Sequence, residues 1–87
     1  MKFNVYSIRD IKTGFLSPTF EINDAVAVRN FSHAVQQSGS VLFTHASDFQ
    51  LFRIGTFDSD SGKLMPLELS ILIAEGKDVW VAWLFRV

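Results

Sequence analysis

The sequence predicts an α+β domain, a mainly antiparallel sheet of about four to five short strands packed against one principal helix. Three observations carry that expectation. Short windows rich in Val, Ile, Phe and Tyr recur along the chain, separated by turn residues. A single stretch, Asp24 to Gln37, has clean helical spacing of its apolar residues. The chain has only 87 residues, with no linker and no internal repeat, so residues 1–87 are expected to share one core as a single domain.

The elements follow in order. Lys2 to Arg9 concentrates Phe3, Val5, Tyr6 and Ile8 and reads as a first strand. Asp10 to Gly14 is a turn, with Gly14 free to take positive φ. Phe15 to Ile22 is extended. Pro18 forces Ser17 out of helical angles and bars a central strand position, so an ordered loop or edge segment is expected there. Asn23 is a good N-cap, and Asp24 then stands in the first turn, where the helix dipole favours an anion. Ala27, Val28, Phe31, Ala34 and Val35 make one helical stripe, while Arg29, Asn30, His33 and Gln36 fall on other faces. Gly39 ends the helix.

Ser40 to Thr44 reads as a short strand or extended connector, and His45 to Asp48 as a polar turn. In the strand from Phe49 to Phe57, simple alternation puts Phe49, Leu51, Arg53, Gly55 and Phe57 on one face and Gln50, Phe52, Ile54 and Thr56 on the other. Asp58 to Gly62 is a hairpin loop leading into a returning strand from Lys63 to Leu67, which Pro66 confines to an edge or a short length. Leu67 to Ala74 alternates like a strand, yet Gly76 equally suits the end of a short helix; periodicity leaves both open. Val79 to Val87 reads as an apolar C-terminal strand. Val79, Val81, Trp83 and Phe85 lie on one face and Trp80, Ala82 and Leu84 on the other. With both faces needing cover, it is expected either centrally in the sheet or in a subunit interface, a homodimer included.

Composition narrows the chemistry. Hydrophobic residues make up 48%, charged residues 20% and aromatics 14%, which excludes a disordered or solvating segment. There is no cysteine, so neither a disulfide framework nor a thiolate metal site is available. The most apolar stretch, Val79 to Phe85, is far shorter than the roughly 20 residues a spanning helix needs. Lys2 to Arg9 alternates and ends in charge, unlike a signal peptide, and a soluble chain is expected.

Catalytic readings are weak. His45, Ser47 and Asp48 are the residue types of a hydrolase triad, but such close neighbours rarely converge on one substrate atom; a polar turn explains them. His33 and His45 without cysteine give no zinc spacing. Asp58 to Gly62 superficially matches a calcium loop, but glycine falls at loop position five instead of six and Leu69 stands where glutamate belongs. The five glycines are scattered singly and form no phosphate cradle. No enzyme activity, metal or cofactor is expected. Basic residues set among aromatics carry more weight: Arg9 and Lys12 follow the first strand, Arg29 lies on the helix, and Arg53 sits among Phe49, Phe52 and Phe57. A surface presenting Arg and Phe can pair phosphates while stacking unpaired bases.

The blocks Tyr6-Ser7-Ile8-Arg9-Asp10-Ile11-Lys12, Pro18-Thr19-Phe20, Asn23 with Ala27-Val28-Arg29-Asn30-Phe31, Asp48 through Asp58, and Ser61-Gly62-Lys63-Leu64 occur in a specific order and spacing. In them the chain resembles the small nonstructural proteins of gokushoviruses, single-stranded DNA bacteriophages of the microvirus family. Ala46 stands where those proteins usually have proline, and the tail from Trp80 onward has no counterpart in them. The resemblance implies a nonstructural phage protein made in the host bacterial cytoplasm. It would bind single-stranded DNA in the switch from duplex replication to single-strand synthesis and packaging. Arg9, Lys12, Arg29 and Arg53 are the residues expected to contact phosphates. Four such contacts give a log–log salt slope of about −3 on single strands. A net charge of −1 makes this moderate binding, which stacking or a dimer would have to strengthen. The alternative is an adaptor for phage replication or capsid proteins, docking through the C-terminal strand.

Overall fold

The computed structural model describes the backbone of residues 1–84 and the side chains of residues 1–80. Its centre is an antiparallel sheet in the order β2-β1-β4-β5, with β3 also pairing β1. The strands are β1 (Lys2–Asp10), β2 (Gly14–Phe15), β3 (Thr19–Glu21), β4 (Phe49–Asp58) and β5 (Lys63–Glu75). Three helices join them: α1 (Asp24–Val35), α2 (Val41–Thr44) and α3 (Gly76–Leu84), with a single 3-10 turn at Ala46–Asp48. This is the α+β architecture the sequence predicts, with α1 as its main helix.

β1 and β4 form the long central ladder, from Lys2↔Asp58 to Asp10↔Phe49. The Phe15–Ile22 segment supplies two short edge pieces. Arg9 pairs with Phe15 and Val5 with Phe20, and the stretch around Pro18 separates them. α1 begins where the cap predicts, with the Asn23 side chain accepting the Val26 N–H at 2.9 Å. It stops at Val35, the last residue of the apolar stripe and two residues short of the expected end at Gln37, and Gln36 is its C-cap.

One face of the sheet packs on the helices. Tyr6, Phe49 and Leu51 from the strands meet Ala27, Phe31 and Val35 from α1, and Ala46 joins from the 3-10 turn. Ile8, Leu42, Ile73, Val79 and Trp80 pack around that cluster. Phe31 and Val35 are 2% and 0% exposed, so the stripe read from the sequence is the one that is buried.

Four expectations are corrected. Ser40 to Thr44 is no strand: the Ser40 hydroxyl accepts the Leu42 N–H at 3.1 Å and caps the one-turn helix α2. The returning strand does not stop at Leu67 but runs to Glu75, so the open choice over residues 67–74 resolves to strand. The C-terminal strand of residues 79–87 is helix through Leu84: Val79, Val81 and Trp83 lie in α3. The side chains of Val81 and Trp83, and Phe85 altogether, fall outside what the structure describes. An apolar run of this length fits either a buried strand or a helix by composition, and packing of Val79 and Trp80 on the helix-side core selects the helix.

The fourth correction concerns β4. Val5 pairs with Gly55 but the next residue, Tyr6, pairs with Arg53, so Ile54 is an extra residue in β4. The bulge reverses alternation. Phe49, Leu51 and Arg53 point to the helix side, while Gly55 and Phe57 join Phe52 on the opposite face.

Candidate nucleic-acid interface on the outer sheet face

The bulge and the broken edge strand together assemble a helix-free face rich in phenylalanine. Arg9↔Phe15 and Arg9↔Gln50 place Phe15 on the same side as Phe52, and the two rings meet edge to face at 5.5 Å. Val5↔Phe20 and Phe3↔Phe57 do the same further along, where Phe20 and Phe57 meet at 5.3 Å. Both geometries lie within the favourable range for aromatic pairs. Phe15 is 54% and Phe20 46% exposed, so each pair offers ring surface to solvent. Next to Phe20 a cleft of about 270 Å³ is lined by Val5, Pro18, Ile54, Leu64 and Met65, nearly all apolar.

The four basic residues do not gather on this face. Arg9 is exposed there, beside Phe15, and Lys12 is exposed on the turn between β1 and β2. That turn is held by the Lys12 backbone N–H donating to Asp10 Oδ1 at 2.9 Å. Arg29 is exposed on α1, lining a shallow hollow with Ala25, Ser32 and His33 on the other side of the sheet. Arg53 is occupied. It points to the helix side, where its Nη1 donates to both oxygens of Asp24 at 3.1 Å.

Asp24 is a small hub. The Tyr6 hydroxyl donates to Asp24 Oδ1 at 2.5 Å, and Asn4 donates to the Tyr6 oxygen at 3.0 Å. Burial, then the hydrogen bond to Asp24, raises the Tyr6 phenol above its ordinary value of 10.0. The sequence read Asp24 as a dipole-favoured first-turn acid; the fold also makes it the clamp between α1 and the β1–β4 ladder. A pair spanning residues 24 and 53 has no local spacing to reveal it.

The other polar candidates have local partners. His45 Nδ1 lies 2.9 Å from the Thr44 hydroxyl, and His33 Nε2 lies 2.9 Å from the Gln37 amide nitrogen. Within the hairpin loop Asp58 Oδ1 accepts the Asp60 N–H at 2.9 Å; that bond holds the Asp58 carboxyl below its ordinary value. Gly62 takes φ +73°, the left-handed position the loop requires. None of the helices among the described residues is long and apolar enough to cross a membrane.

What the sequence missed was the partnership of Phe15 and Phe20 with Phe52 and Phe57. Phe15 and Phe20 read only as members of an ordered loop or edge segment; the rings they pair with became visible only with the strand register. No curated protein and no solved structure matches the chain significantly. The family model for the Phage ORF5 protein, in contrast, matches residues 3–79. That match runs from the first strand into α3 and includes every residue of the outer face, so the chain belongs to the Phage ORF5 protein family.

Proposed function

We propose that this phage protein is a non-enzymatic, single-stranded DNA-binding module that uses the outer face of its sheet. The observation that carries the reading is the pair of exposed rings, Phe15 and Phe20, each braced edge to face by a second phenylalanine. Unpaired bases stack on such rings whatever their sequence, at about 1–3 kcal/mol per base. Arg9 and Lys12 at one end of the face supply phosphate contacts, fewer than the four the sequence predicted, because Arg53 is tied to Asp24 and Arg29 faces away. With about two phosphates neutralised, the salt slope is about −1.4, not −3. Such a module fits the gokushovirus-type role in the host bacterial cytoplasm, holding displaced strand during the switch to single-strand synthesis.

The test is a fluorescence anisotropy titration with single- and double-stranded oligonucleotides at two salt concentrations. The wild type is expected to prefer the single strand, and Phe15→Ala with Phe20→Ala to weaken binding at least tenfold. Arg9→Ala is expected to flatten the salt slope by about 0.7, while Arg53→Ala leaves affinity unchanged. Unaltered affinity in the double phenylalanine variant sinks the proposal. The second reading is an adaptor for phage replication or capsid proteins. It is favoured by the near-neutral charge and the apolar exposure of β5, and predicts nuclease-resistant co-purification of those proteins from infected cells.

A further inference from the structure

The two edges of the sheet are built differently. One consists of β2 and β3, two and three residues long and interrupted near Pro18, which leaves little backbone for another strand to pair with. The other is β5, 13 residues long, with no described strand on its far side. Gly55 pairs with Pro66 but Arg53 with Ile71, so Leu67 to Ser70 has no ladder partners in β4. At the middle of that stretch Leu69 is 81% exposed, the most exposed large hydrophobic residue described. Edges that must stay unpaired carry charge, yet Glu68 is the one charged residue between Leu64 and Ala74.

We propose that a second copy of this chain pairs antiparallel with the Leu67–Ile71 stretch of β5, about a two-fold axis at Leu69. Three arguments select a second copy and this register. Placing the axis at Leu69 sets Leu69 against its equivalent and Leu67 against Ile71 on one face, with Glu68 opposite Ser70 on the other. An axis at Glu68 juxtaposes two carboxylates, and an axis at Ser70 sets Glu68 against Leu72; both are unfavourable. The near-neutral chain does not repel its own copy, and a patch with one charge offers nothing to a strongly charged partner. Leu69 and Ile71 within that stretch, and Leu72 beside it, are all 42% exposed or more. They expose on the order of 300 Å² of apolar side chain per copy, the apolar centre of a contact smaller than the roughly 800 Å² per partner of a standard interface.

Pro66 has no N–H to donate, which limits pairing to the residues after it. The axis of such a pair is perpendicular to the sheet, so both phenylalanine faces come to one side. The inference goes beyond the DNA-binding reading and does not depend on it. It also relocates the homodimer contact expected at Val79 to Phe85, whose described part is helical and packs at Val79 and Trp80 on the core.

The test is sedimentation equilibrium on the full chain, with cross-linking to fix the register. The wild type is expected to dimerise, and Leu69→Lys to raise the dissociation constant at least tenfold, with an unchanged circular dichroism spectrum and, at concentrations where both are monomeric, an unchanged urea midpoint. Because the chain has no cysteine, Leu69→Cys gives a clean probe. Its two copies lie opposite each other within disulfide reach and are expected to form a covalent dimer under mild oxidant. Ile71→Cys is not, since its nearest equivalent is four residues away along the strand. A monomer at all concentrations, a dimer insensitive to Leu69→Lys, or cross-linking at Ile71 in place of Leu69 each overturns the proposal.

Discussion

The two faces of the sheet use the same side chain for opposite ends. On the helix side Phe31 and Phe49 are buried at 2% and 3% exposure, locked among Tyr6, Leu51 and Val35. On the outer side Phe15 and Phe20 are about half exposed, each braced edge to face by a single ring, Phe52 and Phe57 respectively. The cations divide the same way. Arg53, on the helix side, is a structural clamp on Asp24; Arg9, on the outer side, stands in solvent beside a ring. What separates a core group from a surface group here is which side of β1 and β4 it leaves from. That is set by strand parity and by one bulge at Ile54.

The contrast breaks most sharply by truncating one ring on each face. Phe31→Ala is expected to destabilise by about 3–5 kcal/mol, since the cavity it opens lies under α1 and cannot collapse. Phe15→Ala is expected to cost about 1 kcal/mol or less, the loss of one edge-to-face contact at the surface. Urea unfolding of both variants reads the difference directly. Similar losses would mean the outer face is a second core, and the stacking surface proposed for DNA would not exist.

A smaller effect sharpens the role of the bulge. A Cβ at Gly55 would stand 2.6 Å from the Met65 carbonyl oxygen, a backbone atom that cannot move aside cheaply. Gly55→Ala is therefore expected to destabilise by about 1–3 kcal/mol. It should also loosen the β4–β5 pairing, seen as faster amide exchange at Met65 and Thr56 than in the wild type. Slow exchange there with a normal urea midpoint would show that the two strands tolerate a wider gap.

The smallest effect lies in the clamp. Tyr6 is fully buried and its phenol is raised above 10.0, by burial first and by Asp24 second. The protonated phenol is the form the fold stabilises. Its contribution is therefore complete below the unfolded-state value and lost as the pH rises through the higher folded-state value. Urea midpoints followed from about pH 8 to about pH 11 should fall at the alkaline end, and fall less in Tyr6→Phe. An identical alkaline fall in both proteins would assign it to other groups.

Local signals in the residues were sufficient for much of this. The Asn23 cap, the Ala27-Phe31-Val35 stripe, the turn glycines at 14 and 62, and the strand composition of β1 and β4 each depend on neighbours within a few positions. Sequence alone exposes such patterns. The C-terminal run is ambiguous for the same physical reason. Val79 to Leu84 is apolar at every position and contains no helix breaker, and an all-apolar stretch has no periodicity to distinguish strand from helix. Of the four cations, Arg9 and Lys12 stand at one end of the outer face, whereas the positions of Arg29 and Arg53 depend on how α1 crosses the sheet.

The amino-acid sequence by itself therefore determined the α+β class, the main helix and its buried stripe, and the absence of any cysteine chemistry. These follow from composition and from short-range spacing. Only the tertiary structure decided which phenylalanines are core and which are surface, that Asp24 holds Arg53, and that β5 ends the sheet with an apolar edge. Those are set by strand register and by contacts between residues tens of positions apart, where a shift of one residue exchanges the two faces.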